Sequence, residues 1–298
     1  LEETPFYSAC KKTKATNTFH EWQTDSLRAS ADNAHIEGFD TDAEARTATT
    51  RLGNYSQIMK NAVSVPDTDE GLSKAGRAKE IGYQVLKVAK EQKLDIEKAL
   101  FSNQAYVQGN GTDTARRLAG VPAWLTTNTN FHTGGDTDGA DPVTIGSTAR
   151  TDAVGSIGTP LTAFDQTKFD LVMQSVWEQG GVPQTVYLSA FQMNKALGFT
   201  GNNNQRSTIG ASDGEVANLL NIYMTPWGSV EFIPTRENRS RDVFIMQNDM
   251  WEVAVLRPTK NTALAKTGDS TRRQVITELT LVCRNEASSG AVYDSTTS

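Results

Sequence analysis

Residues 66–104, PDTDEGLSKAGRAKEIGYQVLKVAKEQKLDIEKALFSNQ, read as one helix of unusual length, and such a rod limits what can be built around it. At about 1.5 Å of rise per residue, Asp67 to Ser102 spans roughly 50 Å, more than one small domain encloses. Something must cover it along its length. Asp67 in the N-cap position with Glu70 three residues on makes a capping-box-like start. The apolar residues Leu72, Ala75, Ala78, Ile81, Val85, Val88, Ala89, Ile96 and Leu100 recur at a spacing of three to four, broken around Gln92, which gives one protein-facing stripe. Lys74, Arg77, Lys79, Glu80, Lys87, Lys90, Glu91, Lys93, Glu97 and Lys98 lie between them and are expected to face water. Gly76 and Gly82 are weak helix formers that permit close approach of another backbone. Taken alone, the segment is an amphipathic helix and nothing more specific.

Its flanks narrow the reading. Residues 1–37 mix single aromatics with polar β-formers and show no sustained helical period, as an extended arm would. Residues 38–66 combine a Thr-rich stretch, the Leu-Gly-Asn punctuation at 52–54 and loose alternation from Tyr55 to Val65, which predicts a two-stranded excursion. Too few large apolar residues occur there to build a core, so this excursion has to rest on another surface. Residues 126–160 are dense in Gly, Thr and Asp and predict a long exposed loop or ribbon. A compact α/β unit then begins, with a helix over Phe164–Gln179 and a strand in VYLSAF. A hairpin follows, turning near Pro226–Gly228, then two strands in VFIMQNDMWEVAVLRP and a late strand over 275–284 that can return toward the start of the long helix.

Chemistry finds little support. The chain has 298 residues with 29 basic and 35 acidic side chains, a net charge of −6, so broad attraction to nucleic acid or anionic lipid is not expected. No run approaches the roughly 20 apolar residues that span a bilayer, which points to a soluble protein without membrane contact. Cys10 and Cys283 stand near opposite ends and read as packing residues in a reducing compartment. His20, His35 and His132 show no HxxxH or HExxH spacing, and His20 and Glu21 are neighbours that point apart on an extended segment. The Asp136–Asp141 segment alternates carboxylates as a calcium loop does, but its Gly comes fourth and position twelve is Ser147. A solvated loop fits it better. Gly109-Asn110-Gly111 lacks the third glycine and the preceding strand of a dinucleotide fingerprint. Arg236, Arg239, Arg241, Arg272 and Arg273, diluted by Glu237, Asp242 and Asp269, suit solvated faces or contacts to acidic patches on sister subunits. No catalytic residue, cofactor or metal is expected.

Seven segments in chain order carry a resemblance: TPFYSACKKTKATNTFHEWQTDSL (4–27), LGNYSQI (52–58), AGRAKEIGYQVLKVAKEQKLDIEKALFSNQ (75–104), ARRLAGVPAWLTTN (115–128), WGSVEFIPTR (227–236), LRPTKNTALAKTGDS (256–270) and ELTLVCRNEASSGAVYDST (278–296). Together they resemble the tailed-phage major capsid proteins of the HK97 fold, of the SU10 type, while residues 129–226 carry no matching piece. The resemblance implies an α+β, HK97-like capsid fold with an N-terminal arm (1–37), an extended E-loop (38–66) and a peripheral domain (67–160) bearing a spine helix (67–103). It further implies an axial domain (161–247) and a return to the peripheral domain (248–298). Relatives carry residues before the TPF segment, so residues preceding Leu1 are expected.

The implied function is self-assembly into the icosahedral head of a tailed bacteriophage around double-stranded DNA, in the virion after assembly in the host cytoplasm. Implied partners are copies of the chain in pentamers and hexamers, portal, scaffold or decoration proteins, and packaged DNA held by weak non-specific contact. An arm and a hairpin without cores gain stability by lying across a neighbour, so removing residues 42–62 is expected to abolish shells yet leave the rest folded. An encapsulin-like shell protein, or a metal-dependent hydrolase using the Asp136–Asp141 loop, is the alternative.

Overall fold

The computed structural model describes residues 4–38, 40, 46–72, 79–199 and 222–297. In chain order the elements are α1 (Pro5–Ala9), β1 (Lys11–Lys14), β2 (Phe19–Thr24), β3 (Thr50–Tyr55), β4 (Gln57–Pro66), α2 (Asp67–Gly71), α3 (Glu80–Phe101) and β5 (Thr129–Asn130). They continue as α4 (Gln166–Glu178), β6 (Thr185–Leu188), α5 (Ala190–Ala196), β7 (Ile222–Thr225), β8 (Gly228–Pro234), β9 (Val243–Met246), β10 (Trp251–Ala263), β11 (Ser270–Cys283) and β12 (Gly290–Val292). A four-stranded sheet runs β1-β10-β11-β4, a six-stranded sheet runs β5-β12-β9-β6-β8-β7, and β2 pairs with β3. Mixed helix and sheet is the α+β class expected.

The run VFIM of β9 explains how two cores share one sheet. Alternate residues of a strand face opposite sides, and a strand covered on both sides has no place for a polar residue. Phe244 and Met246 point into a core with Phe6, Phe101, Trp124 and Trp251, whereas Val243 and Ile245 point into a second core with Phe169, Val172 and Phe232. In β6, Tyr187 joins the first core while Val186 and Leu188 join the second.

The long helix is two helices. Gly71 ends α2, Leu72 is extended at ψ 140°, and Lys79 is extended again at ψ 133° before α3 begins. Asp, Thr and Gly are poor helix formers, and Leu72 is largely exposed, so neither propensity nor packing sustains the first piece. Pro66, not Asp67, is its N-cap, and Glu70 instead reaches forward: its Oε2 accepts the N–H groups of Glu80 at 3.1 Å and Ile81 at 3.0 Å. Lys74, Ala75, Gly76, Arg77 and Ala78 lie outside the described residues. In α3 the stripe is buried at Ile96 and Leu100 and half-buried at Ile81, Val85, Val88 and Ala89. Its break is a polar anchor, since buried Gln92 donates from Nε2 to the Met59 carbonyl of β4 at 2.8 Å. Glu80 and Glu97, expected on the wet face, are buried.

The predicted two-stranded excursion also partners differently. β3 and β4 are consecutive but do not pair with each other: β3 pairs antiparallel with β2 of the arm, and β4 runs beside β11 from Gln57↔Leu279 to Pro66↔Ser270. Tyr55 and Gln57 flank buried Ser56, where the chain passes from one sheet to the other. The late strand is longer than 275–284, and its start at Ser270 does return to the head of the helical segment, where Thr271 donates to Asp67 at 3.0 Å.

Much of the arm is core rather than appendage. Phe6, Cys10, Ala15 and Trp22 are buried against Trp251 and its neighbours, and β1 pairs parallel with β10. In the second unit Asp165 caps α4 by accepting Lys168 N–H at 2.9 Å, and Ser189 ends β6 and caps α5, so VYLSAF is half strand and half helix. The hairpin β7–β8 turns between Thr225 and Gly228 as expected. Residues 126–160 are irregular but not uniformly exposed: Asn128, His132, Arg150 and Ala153 are buried, and bridges join Thr137 to Val154 and Ala140 to Thr151.

Candidate functional site

Large apolar side chains stand exposed at several places, Leu86 on α3 and Val143 and Ile157 before α4 among them, and two of these places are built on well-packed elements. The first is the loop from Asp25 to Thr49 between β2 and β3, whose described residues are exposed throughout. Leu27 is 98% and Ile36 80% exposed, and full burial of such side chains would be worth roughly 1.5–3 kcal/mol each. The root of this loop is fixed. Trp22 Nε1 donates to the Cys283 carbonyl at 2.8 Å and its ring lies 5.3 Å from Trp124, while Phe19 packs 4.6 Å from Tyr55. Gly53 is required there, because a Cβ would meet the Phe19 ring at 2.6 Å. Asn54, fully buried, accepts Ala119 N–H at 2.9 Å and donates to the Leu281 carbonyl at 2.8 Å.

The second is the outer face of α4. Phe169, Val172, Met173 and Val176 occupy its inner face, yet Leu171 and Trp177 stand about half exposed on the other side with Val182 just beyond the helix. A half-exposed tryptophan on an otherwise polar face is a common anchor residue at protein interfaces.

Two buried polar junctions lie elsewhere in the fold. Arg150, fully buried, pairs through Nη2 with Asp294 at 2.7 Å and through Nη1 with Asp152 at 2.8 Å, and its guanidinium lies 4.0 Å above the Tyr293 ring. Arg241 pairs with Asp294 at 2.8 Å, and Arg239 bridges Asp152 and Asp242. Burial pushes Asp242 up to about 6, against the pull of Arg239 and Arg150. A separate junction centres on Glu278, which receives Ser56 at 2.8 Å, Arg257 at 2.7 Å and Arg116 at 2.6 Å. Burial acts to raise Glu278, but the Ser56 and Arg257 bonds and the two guanidinium charges outweigh it and hold the carboxyl below its usual range. These clusters span up to 222 positions of sequence, so no local motif announces them; the Arg239/Arg241 pair with Asp242 was the only hint.

The residues weighed for chemistry are dispersed. Cys10 and Cys283 are buried free thiols, and burial pushes Cys10 up to about 12. Glu21 pairs with Arg51 rather than His20. His35 contacts Asn33 in the exposed loop, and His132 is buried far from it in sequence. Asp138 accepts Gly134 N–H and Asp141 accepts the Thr129 hydroxyl, and among the described residues no group of three His, Cys, Asp or Glu side chains is placed to hold a metal ion. Of the basic residues, Arg239 and Arg241 are spent on internal carboxylates, whereas Arg236 and Arg272 are exposed. No described helix is long and apolar enough to cross a membrane.

A family model described as the SU10 major capsid protein matches residues 1–296. The chain belongs to the SU10 major capsid protein family. This capsid protein is 29% identical over 319 residues to the major capsid protein of Escherichia phage Phieco32, an alignment covering 98% of this chain and 90% of that protein. Its fold is similar to a solved structure from Microbacterium phage Oxtober96, with TM-score 0.58 and 11% identity over 97% of this chain and 90% of that one. The capsid of a native GTA particle gives TM-score 0.58 and 8% identity over 98% and 90%. A holo-SrpI encapsulin from Synechococcus elongatus gives 0.57 and 9% over 99% and 89%. The fold is therefore the HK97-like one, common to phage capsids and encapsulins, and the protein is a tailed-phage major capsid protein, a structural component of a multimeric shell in the virion.

Proposed function

We propose that the subunit closes an icosahedral head by two kinds of contact: the loop after β2 laid across a neighbouring copy, and the outer face of α4 meeting its equivalents around pentamers and hexamers. The observation that carries this is Leu27 and Ile36, two aliphatic side chains held out on a loop whose root is tightly packed. The loop gains stability only when another surface covers it, and many such heterologous contacts around closed rings add up without any one being strong. On this reading the E-loop is the excursion from Phe19 to Tyr55, earlier in the chain than residues 38–66, and the peripheral domain is the first core with α3 as spine. The axial domain is the second core, spanning about 161–247.

The enclosed cargo is double-stranded DNA, contacted weakly, as the net charge of −6 favours enclosure without grip. Assembly takes place in the host bacterial cytoplasm, with portal, scaffold or decoration proteins as further partners, and no reaction is catalysed. Electron microscopy of the purified protein tests the reading: closed shells or capsomers are expected, and monomers alone under every assembly condition would overturn it. Genomic DNA recovered with native particles distinguishes a phage head from a protein-loaded compartment.

A further inference from the structure

Asn110 is the one asparagine of the chain that precedes a glycine, and it sits at the exposed tip of the loop after α3. Its Oδ1 accepts three backbone N–H groups, from Thr112 at 3.0 Å, Asp113 at 3.1 Å and Thr114 at 2.9 Å, and Nδ2 donates to the Asp113 carboxylate. Gly111 N–H makes no hydrogen bond among those of the described residues, and Gly111, at φ +78°, has nothing within 4 Å of where a Cβ would stand.

We propose that Asn110 is a spontaneous modification site that converts to aspartate and isoaspartate through a cyclic imide. The Gly111 nitrogen attacks Asn110 Cγ, the C–N bond to Nδ2 breaks, and that nitrogen leaves as ammonia. The proton lost by Gly111 nitrogen reaches the departing nitrogen through water or through the Asp113 carboxylate bonded to it. Water then opens the imide at either carbonyl, so one water is consumed, one ammonia is released, and nothing is oxidised or reduced.

Each partner in the step is prepared by the fold. The nucleophile is unbonded and unshielded, because glycine presents no side chain to the approach. The electrophile is polarised: three N–H donors aimed at Oδ1 also meet the negative charge that builds on that oxygen as the nitrogen adds, as in an oxyanion hole. Exposure supplies the water. The product alters the loop, since an aspartate at 110 turns the Nδ2 bond to Asp113 into a like-charge contact, and isoaspartate lengthens the backbone through the three-donor cradle.

Peptide mapping by mass spectrometry decides it, comparing the full-length folded protein with a synthetic peptide spanning residues 106–117, both held at mildly alkaline pH. The folded protein is expected to convert Asn110 about tenfold faster than the peptide. Asp113→Ala should slow the conversion, and Gly111→Ala should nearly abolish it, while Asn33 in the other exposed loop remains intact. Conversion at or below the peptide's rate, or no faster at Asn110 than at Asn33, would overturn the proposal.

Discussion

Glu97 accepts the backbone N–H of Phe6 at 2.9 Å across 91 positions of sequence, and its second oxygen accepts that of Tyr7 at 2.8 Å. One fully buried carboxylate on α3 thus caps the one-turn helix that seats Phe6 between Phe101 and Trp251. Lys12 stands beside it, donating to the Cys10 carbonyl at 2.9 Å. Replacing Glu97 with Ala strands both N–H groups, which should cost about 2–4 kcal/mol in chemical denaturation.

The same residue gives a pH dependence of stated sign. Burial pushes Glu97 up to about 7, with the Tyr7 and Phe6 bonds and Lys12 opposing. Since the folded value lies above the ordinary 4.5, this group's contribution is intact below pH 4.5 and is lost as the pH rises through about 7. Over that window wild type should lose roughly 3 kcal/mol relative to Glu97→Gln, whose side chain does not titrate. Denaturation midpoints across a buffer series measure it, and an unchanging gap between the two proteins would contradict the assignment.

Asp294 lies at φ +56° with two guanidinium groups on its carboxylate, and none of the three side chains is more than a quarter exposed. Asp294→Ala leaves Arg150 buried without its main counter-charge, which should cost about 3–5 kcal/mol. Both cores meet at β12, next to Asp294, so a single cooperative unfolding transition shifted to lower urea is expected. A surface-like change below about 0.5 kcal/mol would mean the cluster relaxes by admitting water.

What the sequence made legible is what neighbours in the chain determine. The spacing of Phe169, Val172, Met173 and Val176 encodes α4, and Pro226-Trp227-Gly228 encodes the β7–β8 turn. Strand partners are another matter. Alternation from Tyr55 to Val65 marks a strand without saying that Gln57 will pair with Leu279, 222 positions later, rather than with the strand just before it. Charge on the helix misled for the same reason: Glu97 looks like a solvated residue until Phe6 and Tyr7 are brought to it. The scarcity of large apolar residues in 38–66 was legible, but the packing of Trp22 and Asn54 at the root of the loop between β2 and β3 depends on Cys283, Leu281 and Ala119.

Glu70 provides a smaller test of local architecture. Because its carboxylate caps α3 from the preceding helix, Glu70→Ala should loosen the first turn of α3 and cost about 1 kcal/mol, with little effect on the buried C-terminal half. Hydrogen exchange resolves this: faster exchange is expected at Glu80 and Ile81 and unchanged protection at Leu100 and Phe101. Faster exchange along the whole helix would show that the two halves unfold together.

The proposed role of the loop between β2 and β3 predicts that folding and assembly can be separated there. Removing residues 42–62 would take all of β3 and most of β4, including Asn54, Ser56 and Met59, whose buried contacts hold α3 and the Glu278 junction. That deletion should unfold the protein. Replacing residues 27–47 with a short Gly/Ser link instead keeps Trp22 and Asn54 in place and, among the described residues, removes only exposed ones, which costs little because closure entropy changes slowly with loop length. The shortened protein should keep its circular dichroism spectrum and melt within a few degrees of wild type, yet yield no shells by electron microscopy. Closed shells from this variant would show that Leu27 and Ile36 are dispensable, and would move the decisive contact to Trp177 and the outer face of α4.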